Sequence, residues 1–324
     1  MRIALITPAP AGSRHGNRHT AARWAAMLRA MGHRLTVEQS WSGAPAGLMI
    51  ALHARRSHDS ARRFKLAYPE RSLIVVLTGT DLYRDIRCDD SARASLDLAD
   101  RLVVLQDHGL KELSRTLRHK ARVIYQSAPH TPRRPPLESC FEVMVSGHLR
   151  HEKDPFRAAL ALRLVPPQSR IRLVHLGAAM SDELAREARD WMAREPRYRW
   201  IGERSHAEAL RRLARSRLMV ISSRMEGGAN VVCEALAAGV PILASRISGN
   251  IGMLGADYAG YFPPENERAL ARLLWRAESE PALYRLLQRQ CAARRAVVDP
   301  RREARALKHL VVEAGRLTAR ARRR

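Results

Sequence analysis

The sequence predicts an α/β protein of two doubly wound parallel sheets, one in each half of the chain, followed by a C-terminal helix. Three observations carry this. Short β-rich apolar runs alternate with amphipathic helical runs along almost all of the 324 residues. The alternation breaks once, at residues 127–139 (SAPHTPRRPPLES), where Pro129, Pro132, Pro135 and Pro136 forbid regular structure, and then restarts. The run at 72–78 (SLIVVLT) is apolar throughout, as a strand covered on both faces must be.

Taken in order, residues 2–8 read as a buried strand and 17–31 as a helix with apolar positions at Ala22, Trp24, Ala25, Leu28 and Met31. Strands are expected at 34–38, 47–53, 72–78, 101–105 and 122–125, and a helix at 57–67. After the proline-rich stretch, strands are expected at 141–146, 171–176, 198–201, 218–222 and 241–244. Helices are expected at 155–164, 182–194, 207–215, 230–238, 268–278, 281–297 and about 301–318. The expected organisation is therefore two Rossmann-like domains, residues 1–127 and 141–299, a linker at 128–140, and a basic helix and tail at 300–324.

Composition narrows the function classes. No run reaches the roughly 18 consecutive apolar residues of a membrane helix, and the apolar start turns basic too early for a secretory leader, so a cytoplasmic protein is expected. The four cysteines, Cys88, Cys140, Cys233 and Cys291, share no metal or redox spacing. The net charge is +25, yet the arginines are spread over every helix, concentrate only in the tail at 316–324, and lack interleaved aromatics. Nucleic acid is not the expected partner; small anionic substrates would profit from the field. A basic nucleic-acid- or membrane-surface-binding protein on a degenerate enzyme fold stands as the alternative of another class.

Ligands of doubly wound sheets bind at the carboxyl ends of the strands. After the strand at 218–222 comes Glu226-Gly227-Gly228-Ala229-Asn230, then a helix carrying Glu234, then Gly239-Val240-Pro241. Glycines ahead of a helix leave backbone N–H groups free to meet an anion near the helix's positive end. Carboxylates accept hydrogen bonds from hydroxyls, which suits ribose or sugar diols rather than phosphate. A structural turn with two solvated glutamates is the plainer alternative.

The whole constellation resembles the retaining nucleotide-sugar glycosyltransferases of the GT-B fold, family 4 type: two glutamates separated by seven residues, a Gly-rich loop between them, and an Ala-x-Gly-x-Pro exit, here Ala237-Ala238-Gly239-Val240-Pro241. The resemblance covers nearly the whole chain and implies a GT-B fold with a cleft between its domains. It implies that Glu234 holds the ribose hydroxyls, and that Glu226 with the backbone of Gly227, Gly228, Ala229 and Asn230 holds the donor sugar and diphosphate. The family also carries Gly-Arg-Leu-x-x-x-Lys for the diphosphate. Here the run is Gly147-His148-Leu149-Arg150-His151-Glu152-Lys153: Lys153 matches, His148 replaces the usual Arg, and Arg150 offers a substitute charge. Ile201-Gly202-Glu203 and the helix from Ala207 align with the part that frames the base.

In the first half, the loop after the first strand gathers Gly12, Arg14, His15, Gly16, Asn17, Arg18 and His19 at the start of a helix, where an anion is favoured; a solvated loop is the bland alternative. The strand at 72–78 runs into Thr78-Gly79-Thr80-Asp81, where family 4 enzymes often carry a His. Asp81 orients a substrate or caps a helix. Four segments, ITPAPAGSRHGNRHTAARWA, LTGTDLY, EGGANVVCEALAAGVPILAS and SGNIGMLGADYAGYF, resemble a particular subgroup, the selenosugar synthases of selenoneine biosynthesis. That subgroup transfers a hexose or N-acetylhexosamine from a UDP-sugar such as UDP-GlcNAc to selenophosphate. The implied acceptor site comprises Gly12, Arg14, His15, Gly16, Asn17, Arg18, Thr78, Thr80 and Asp81; the implied catalytic groups are Lys153, Arg150 and Glu226. The UDP-sugar is a co-substrate, no tightly bound cofactor is expected, and with no carboxylate cluster in the sequence no metal is required for the diphosphate. Downstream pathway enzymes stand as candidate partners. An ordinary family 4 hexosyltransferase acting on a sugar, lipid or small alcohol is the alternative within the class.

Overall fold

A computed structural model describes residues 1–13, 16–321 and 323. The chain divides into two compact units: Met1–Gln126 with Gly227–Ala229 and Pro300–Arg324, and Ser127–Glu226 with Asn230–Asp299. Each is built on a six-stranded, wholly parallel sheet.

In the first unit the strands are β1 (Arg2–Ile6), β2 (Arg34–Glu38), β3 (Leu48–Leu52), β4 (Ser72–Leu77), β5 (Arg101–Val104) and β6 (Ala121–Val123), in spatial order β2-β1-β3-β4-β5-β6. Central β3 and β4 are buried at every position, whereas edge strand β2 has no buried residue and carries Arg34 and Glu38, a composition that discourages pairing with another edge. The two-residue period sorts β4 between two cores. Leu73, Val75 and Leu77 pack with Trp41, Phe64 and Leu96 on one face. Ile74 and Val76 pack with Trp24, Leu28, Leu307 and Leu310 on the other.

The last two leucines belong to the terminal helix, Pro300–Ala321, so this basic helix is one wall of the first unit rather than a tail. Its buried Glu303 accepts hydrogen bonds from Trp24 Nε1 (2.7 Å) and Arg23 Nε (2.9 Å), and Ser72 Oγ donates to Ala314 O at 2.7 Å.

In the second unit the strands are β7 (Phe141–Ser146), β8 (Ile171–Leu176), β9 (Tyr198–Trp200), β10 (Leu218–Ile221), β11 (Ile242–Ser245) and β12 (Tyr261–Phe262), in order β12-β11-β10-β7-β8-β9. The strand order reverses between β7 and β10, the switch point at which doubly wound sheets open a crevice. Its helices start where the sequence supplies caps: Ser181 Oγ accepts from Leu184 N, Ser205 Oγ from Glu208 N and Asn266 Oδ1 from Ala269 N.

Several elements differ from expectation. The helix expected at 155–164 shrinks to Arg157–Leu162, because Asp154 takes a left-handed conformation (φ 46°) just before it. The helix expected at 281–297 ends at Arg294 and tightens into a 3₁₀ turn, Arg295–Val298. Segments without a strong apolar period were not anticipated: the helices Asp90–Leu98 and Ser248–Leu254, strand β12, and a π-helical turn at Asp81–Asp85.

Candidate active site

The carboxyl ends of β7 and β10 frame a small crevice lined by Gly147, His148, Lys153, Ser222, Ser223 and Glu226, with His175 at its base. The loop after β7 is held by backbone and histidine contacts. Gly147 N donates to Leu176 O at 2.8 Å, and His148 Nδ1 accepts from Ala178 N at 3.1 Å. His175, fully buried on β8, has Nε2 3.2 Å from the Gly147 carbonyl and Nδ1 3.1 Å from the Tyr198 hydroxyl. A carbonyl can only accept, so Nε2 carries the ring proton and Nδ1 accepts from Tyr198. Burial pushes the His175 pKa down to about 4, which keeps this neutral tautomer at ordinary pH. The close approach also demands Gly177: with φ +150°, a Cβ there would lie 2.0 Å from Gly147 O.

From this loop a 3₁₀ turn, His151–Lys153, presents Lys153, whose ammonium pairs with Glu226 Oε1. Ser223 Oγ donates to the same carboxylate oxygen at 2.6 Å. Ser222 Oγ donates to the carbonyls of Lys153 (3.1 Å) and Asp154 (2.9 Å), tying the Lys153 turn to the end of β10. Glu226 is almost buried and Lys153 about one-third exposed, so the lysine is the accessible member of the pair. The backbone of Glu226 is pinned too: a Cβ on Gly249 would lie 1.9 Å from Glu226 O.

Asn230 opens the nine-residue helix Asn230–Ala238, and Glu234 lies one turn in. Its Oε1 accepts a hydrogen bond from His206 Nε2 at 2.9 Å. Gly227, Gly228 and Ala229, between Glu226 and Asn230, are buried and group with the first unit. Arg150 is not among the crevice-lining residues; its Nε lies 3.6 Å from Glu152 Oε2. Thus Gly147, His148, Lys153 and Glu226 come together, Glu234 stands on the adjoining helix, and Arg150 faces a carboxylate of its own loop.

In the first unit, Gly12 turns the chain after β1 with φ +78°, and Gly16, Asn17 and Arg18 form the start of the helix Gly16–Ala30. Arg14 and His15 lie outside the described residues. Thr78, Thr80 and Asp81 follow β4. Asp81 is fully buried and spends both oxygens on backbone: Oδ1 accepts from Thr78 N (2.9 Å) and Gly79 N (2.8 Å), Oδ2 from Ala54 N (2.9 Å). It therefore neither caps the following turn nor offers a free carboxylate; it locks the loop after β4 to the loop after β3.

Sequence reasoning missed His175, His206, Ser223 and His53. His175 sits in an apolar strand and is visible only as an interruption of that run. His53 gave no local signal at all.

Among the described residues no group of three or more His, Cys, Asp or Glu side chains is placed to hold a metal ion, and no helix is long and apolar enough to cross a membrane.

A parallel sheet of this strand order, with a lysine–glutamate pair and the start of a helix at its switch point, has the form of the crevice in which doubly wound folds bind their ligands. Residues 134–294, just under half of the chain, match the family model described as Glycosyl transferases group 1. That stretch is thus similar to group 1 glycosyltransferases, and the two parallel six-stranded sheets are the α/β architecture of GT-B structural neighbours. A glycogen synthase of Mycobacterium tuberculosis is 29% identical over 168 residues, 50% of this chain and 38% of that protein, so the match spans well under half of the relative. Among solved structures, sucrose-phosphate synthase from Thermosynechococcus elongatus superposes with TM-score 0.79 at 16% identity, covering 96% of this chain and 98% of that one. Anabaena HepE, solved in complex with UDP-glucose, superposes with TM-score 0.77 at 15% identity, covering 97% and 100%. At such identities these neighbours speak for the fold.

Proposed function

We propose that the protein is a cytoplasmic glycosyltransferase that moves a hexose or N-acetylhexosamine from a UDP-sugar to selenophosphate, forming a selenosugar. The observation that carries the donor half is the Lys153–Glu226 pair at the β7/β10 switch point, with Glu234 on the adjoining helix. Breaking the anomeric bond leaves negative charge on UDP. Lys153 and the N–H groups from Gly227 to Asn230 stabilise it; removal of one such donor costs on the order of 3 kcal/mol. Glu234 accepts from the ribose hydroxyls once it exchanges its bond to His206, and no metal is invoked for the diphosphate.

The acceptor half rests on the resemblance of four segments to selenosugar synthases and on charge. Thr78, Thr80 and the basic loop that includes Arg14 and Arg18 supply hydrogen-bond donors rather than a base. An acceptor that is already an anionic nucleophile needs positioning, not deprotonation. The neighbours include a sucrose-phosphate synthase and the curated relative is a glycogen synthase, and these names favour a second reading, a hexosyltransferase with a sugar acceptor. UDP release from UDP-N-acetylglucosamine and other common UDP-sugars, with and without selenophosphate, decides between them. Selenophosphate-dependent release is expected; its absence with every donor refutes the proposed acceptor.

A further inference from the structure

At the carboxyl ends of β3 and β4 lies a cluster that the donor chemistry does not use. His53, the residue after β3, is 3% exposed and has φ +74°, a left-handed conformation uncommon outside glycine. Such conformations persist only where surrounding contacts enforce them, and they gather at functional sites. Here the enforcing contacts are visible: His53 N donates to Val76 O at 2.8 Å, Ser57 N donates to His53 O at 3.0 Å, and Ala54 N is held by Asp81. Next to it, Asp81–Asp85 forms a π-helical turn, a second local irregularity associated with functional sites.

The ring's hydrogen bonds fix its proton. Nδ1 accepts from Arg56 N at 3.3 Å, and Nε2 lies 3.1 Å from Thr80 Oγ1. Burial lowers the His53 pKa, opposed in part by Asp81 and Asp85 and reinforced by Arg56 and Arg55, so the ring is neutral. A neutral ring with Nδ1 accepting must carry its hydrogen on Nε2, which donates to Thr80 Oγ1. Asp85, whose Oδ2 is 3.9 Å from Nε2, is already taken by Arg55 Nε and Arg84 Nε, both at 3.0 Å.

With one lone pair occupied by His53, the half-exposed Thr80 hydroxyl keeps its own hydrogen to give away. The neighbouring Thr78 hydroxyl has its carboxylate partner in Asp81, at 3.5 Å, whereas among the described residues the Thr80 hydroxyl has no carboxylate partner. We propose that His53 is a positioning residue of the acceptor site: it turns the Thr80 hydroxyl into an outward-facing donor for an oxyanion, the phosphoryl part of the acceptor. This rests on the acceptor class proposed above and adds a residue from a different loop, the one after β3.

Three variants separate this role from simple structural support. His53→Asn suits the left-handed backbone but is too short to reach Thr80. His53→Gln places an amide N–H where Nε2–H stands. Thr80→Val removes the hydroxyl at nearly constant volume. Steady-state turnover with UDP-N-acetylglucosamine and selenophosphate is expected to show the acceptor KM raised about tenfold or more in His53→Asn and Thr80→Val, the loss of one hydrogen bond to a charged group. Largely restored KM is expected in His53→Gln, with UDP affinity by calorimetry unchanged in all three. An acceptor KM equal to that of the unmodified protein in both His53→Asn and Thr80→Val, whatever the melting temperature does, overturns the assignment. A parallel arm needs no turnover: thiophosphate and inorganic phosphate binding in the presence of UDP, followed by phosphorus NMR. If the unmodified protein lacks selenophosphate-dependent turnover, the selenosugar reading fails while this arm still decides the inference. Binding weakened in His53→Asn and Thr80→Val supports it, and equal binding in all forms, or none in the unmodified protein, refutes it.

Discussion

The carboxyl edges of the two sheets are furnished in opposite ways. At the edge of the second sheet, the carboxylates are paired through side chains: Glu226 with Lys153, Glu234 with His206. Such pairs open to a ligand at small cost, because partner is exchanged for partner. At the edge of the first sheet the carboxylates are consumed internally, Asp81 by three backbone N–H groups and Asp85 by Arg55 and Arg84. What remains to face a ligand there is a donor, the Thr80 hydroxyl. The difference teaches a division of labour. Acceptor-rich groups suit a ribose with hydroxyls to give, and donor-rich groups suit a substrate that arrives already negative.

The sharpest way to break the comparison is Lys153→Ala. If Lys153 is the exchangeable cation of the donor edge, its loss removes the charge that meets the leaving diphosphate and leaves Glu226 nearly buried and held by Ser223 alone. The expected outcome is a fall in kcat on the order of 10³-fold with the acceptor KM little changed. A raised acceptor KM at unaltered kcat would move Lys153 to the other half of the reaction.

The next effect concerns what holds the first sheet in place. Glu303, 1% exposed, satisfies Trp24 Nε1 and Arg23 from the terminal helix. Glu303→Ala leaves a buried indole N–H and a partly buried guanidinium without that partner, at a cost of about 3–4 kcal/mol. Denaturant unfolding should show this loss while the UDP affinity of any folded protein is retained. Equal loss of UDP affinity would show that the terminal helix serves both units.

The strands and most helices were legible because burial on both faces leaves an apolar run, and helical burial leaves a 3.6-residue period, that local inspection can detect. Glu226, Gly227 and Glu234 were legible for another reason: their chemistry lies within nine consecutive residues. The rest of the site is assembled across the fold. His175 reaches Gly147 from a neighbouring strand, 28 residues away, and His53 reaches Thr80 across 27. No periodicity encodes such a pairing. The same limit explains Asp81, whose candidate roles of capping or substrate contact were both local, whereas one of its oxygens is taken by Ala54 of another loop.

His175 offers a pH test that sharpens the contrast between a neutral scaffold histidine and the exchangeable pairs around it. Its folded pKa, about 4, lies below the ordinary value of 6.5. The unfolded chain therefore binds the extra proton first as the pH falls. Stability is full above pH 6.5 and is lost progressively between 6.5 and 4, about 2 kcal/mol by pH 5. In His175→Gln, whose amide can donate to Gly147 O without titrating, this slope should vanish. Urea titrations at pH 7 and pH 5 measure the gap between the two proteins. A gap independent of pH would mean that the buried ring is protonated in the folded state and that the tautomer assigned to it is mistaken.

The smallest effect tests the word exchangeable itself. His206 is about half exposed, and Glu234, mostly buried, gives it one carboxylate oxygen. An exposed pair of this kind is worth about 0–1 kcal/mol, so a ribose competing for Glu234 has at most that much to overcome. His206→Ala should accordingly leave UDP binding unchanged or tighten it by a few-fold, whereas Glu234→Ala should weaken it by tenfold or more through loss of hydrogen bonds to a charged acceptor. Calorimetric titration of UDP into both variants reads the two signs directly. If His206→Ala weakens binding as strongly as Glu234→Ala, His206 contacts the nucleotide itself rather than acting as a placeholder that leaves when ribose arrives.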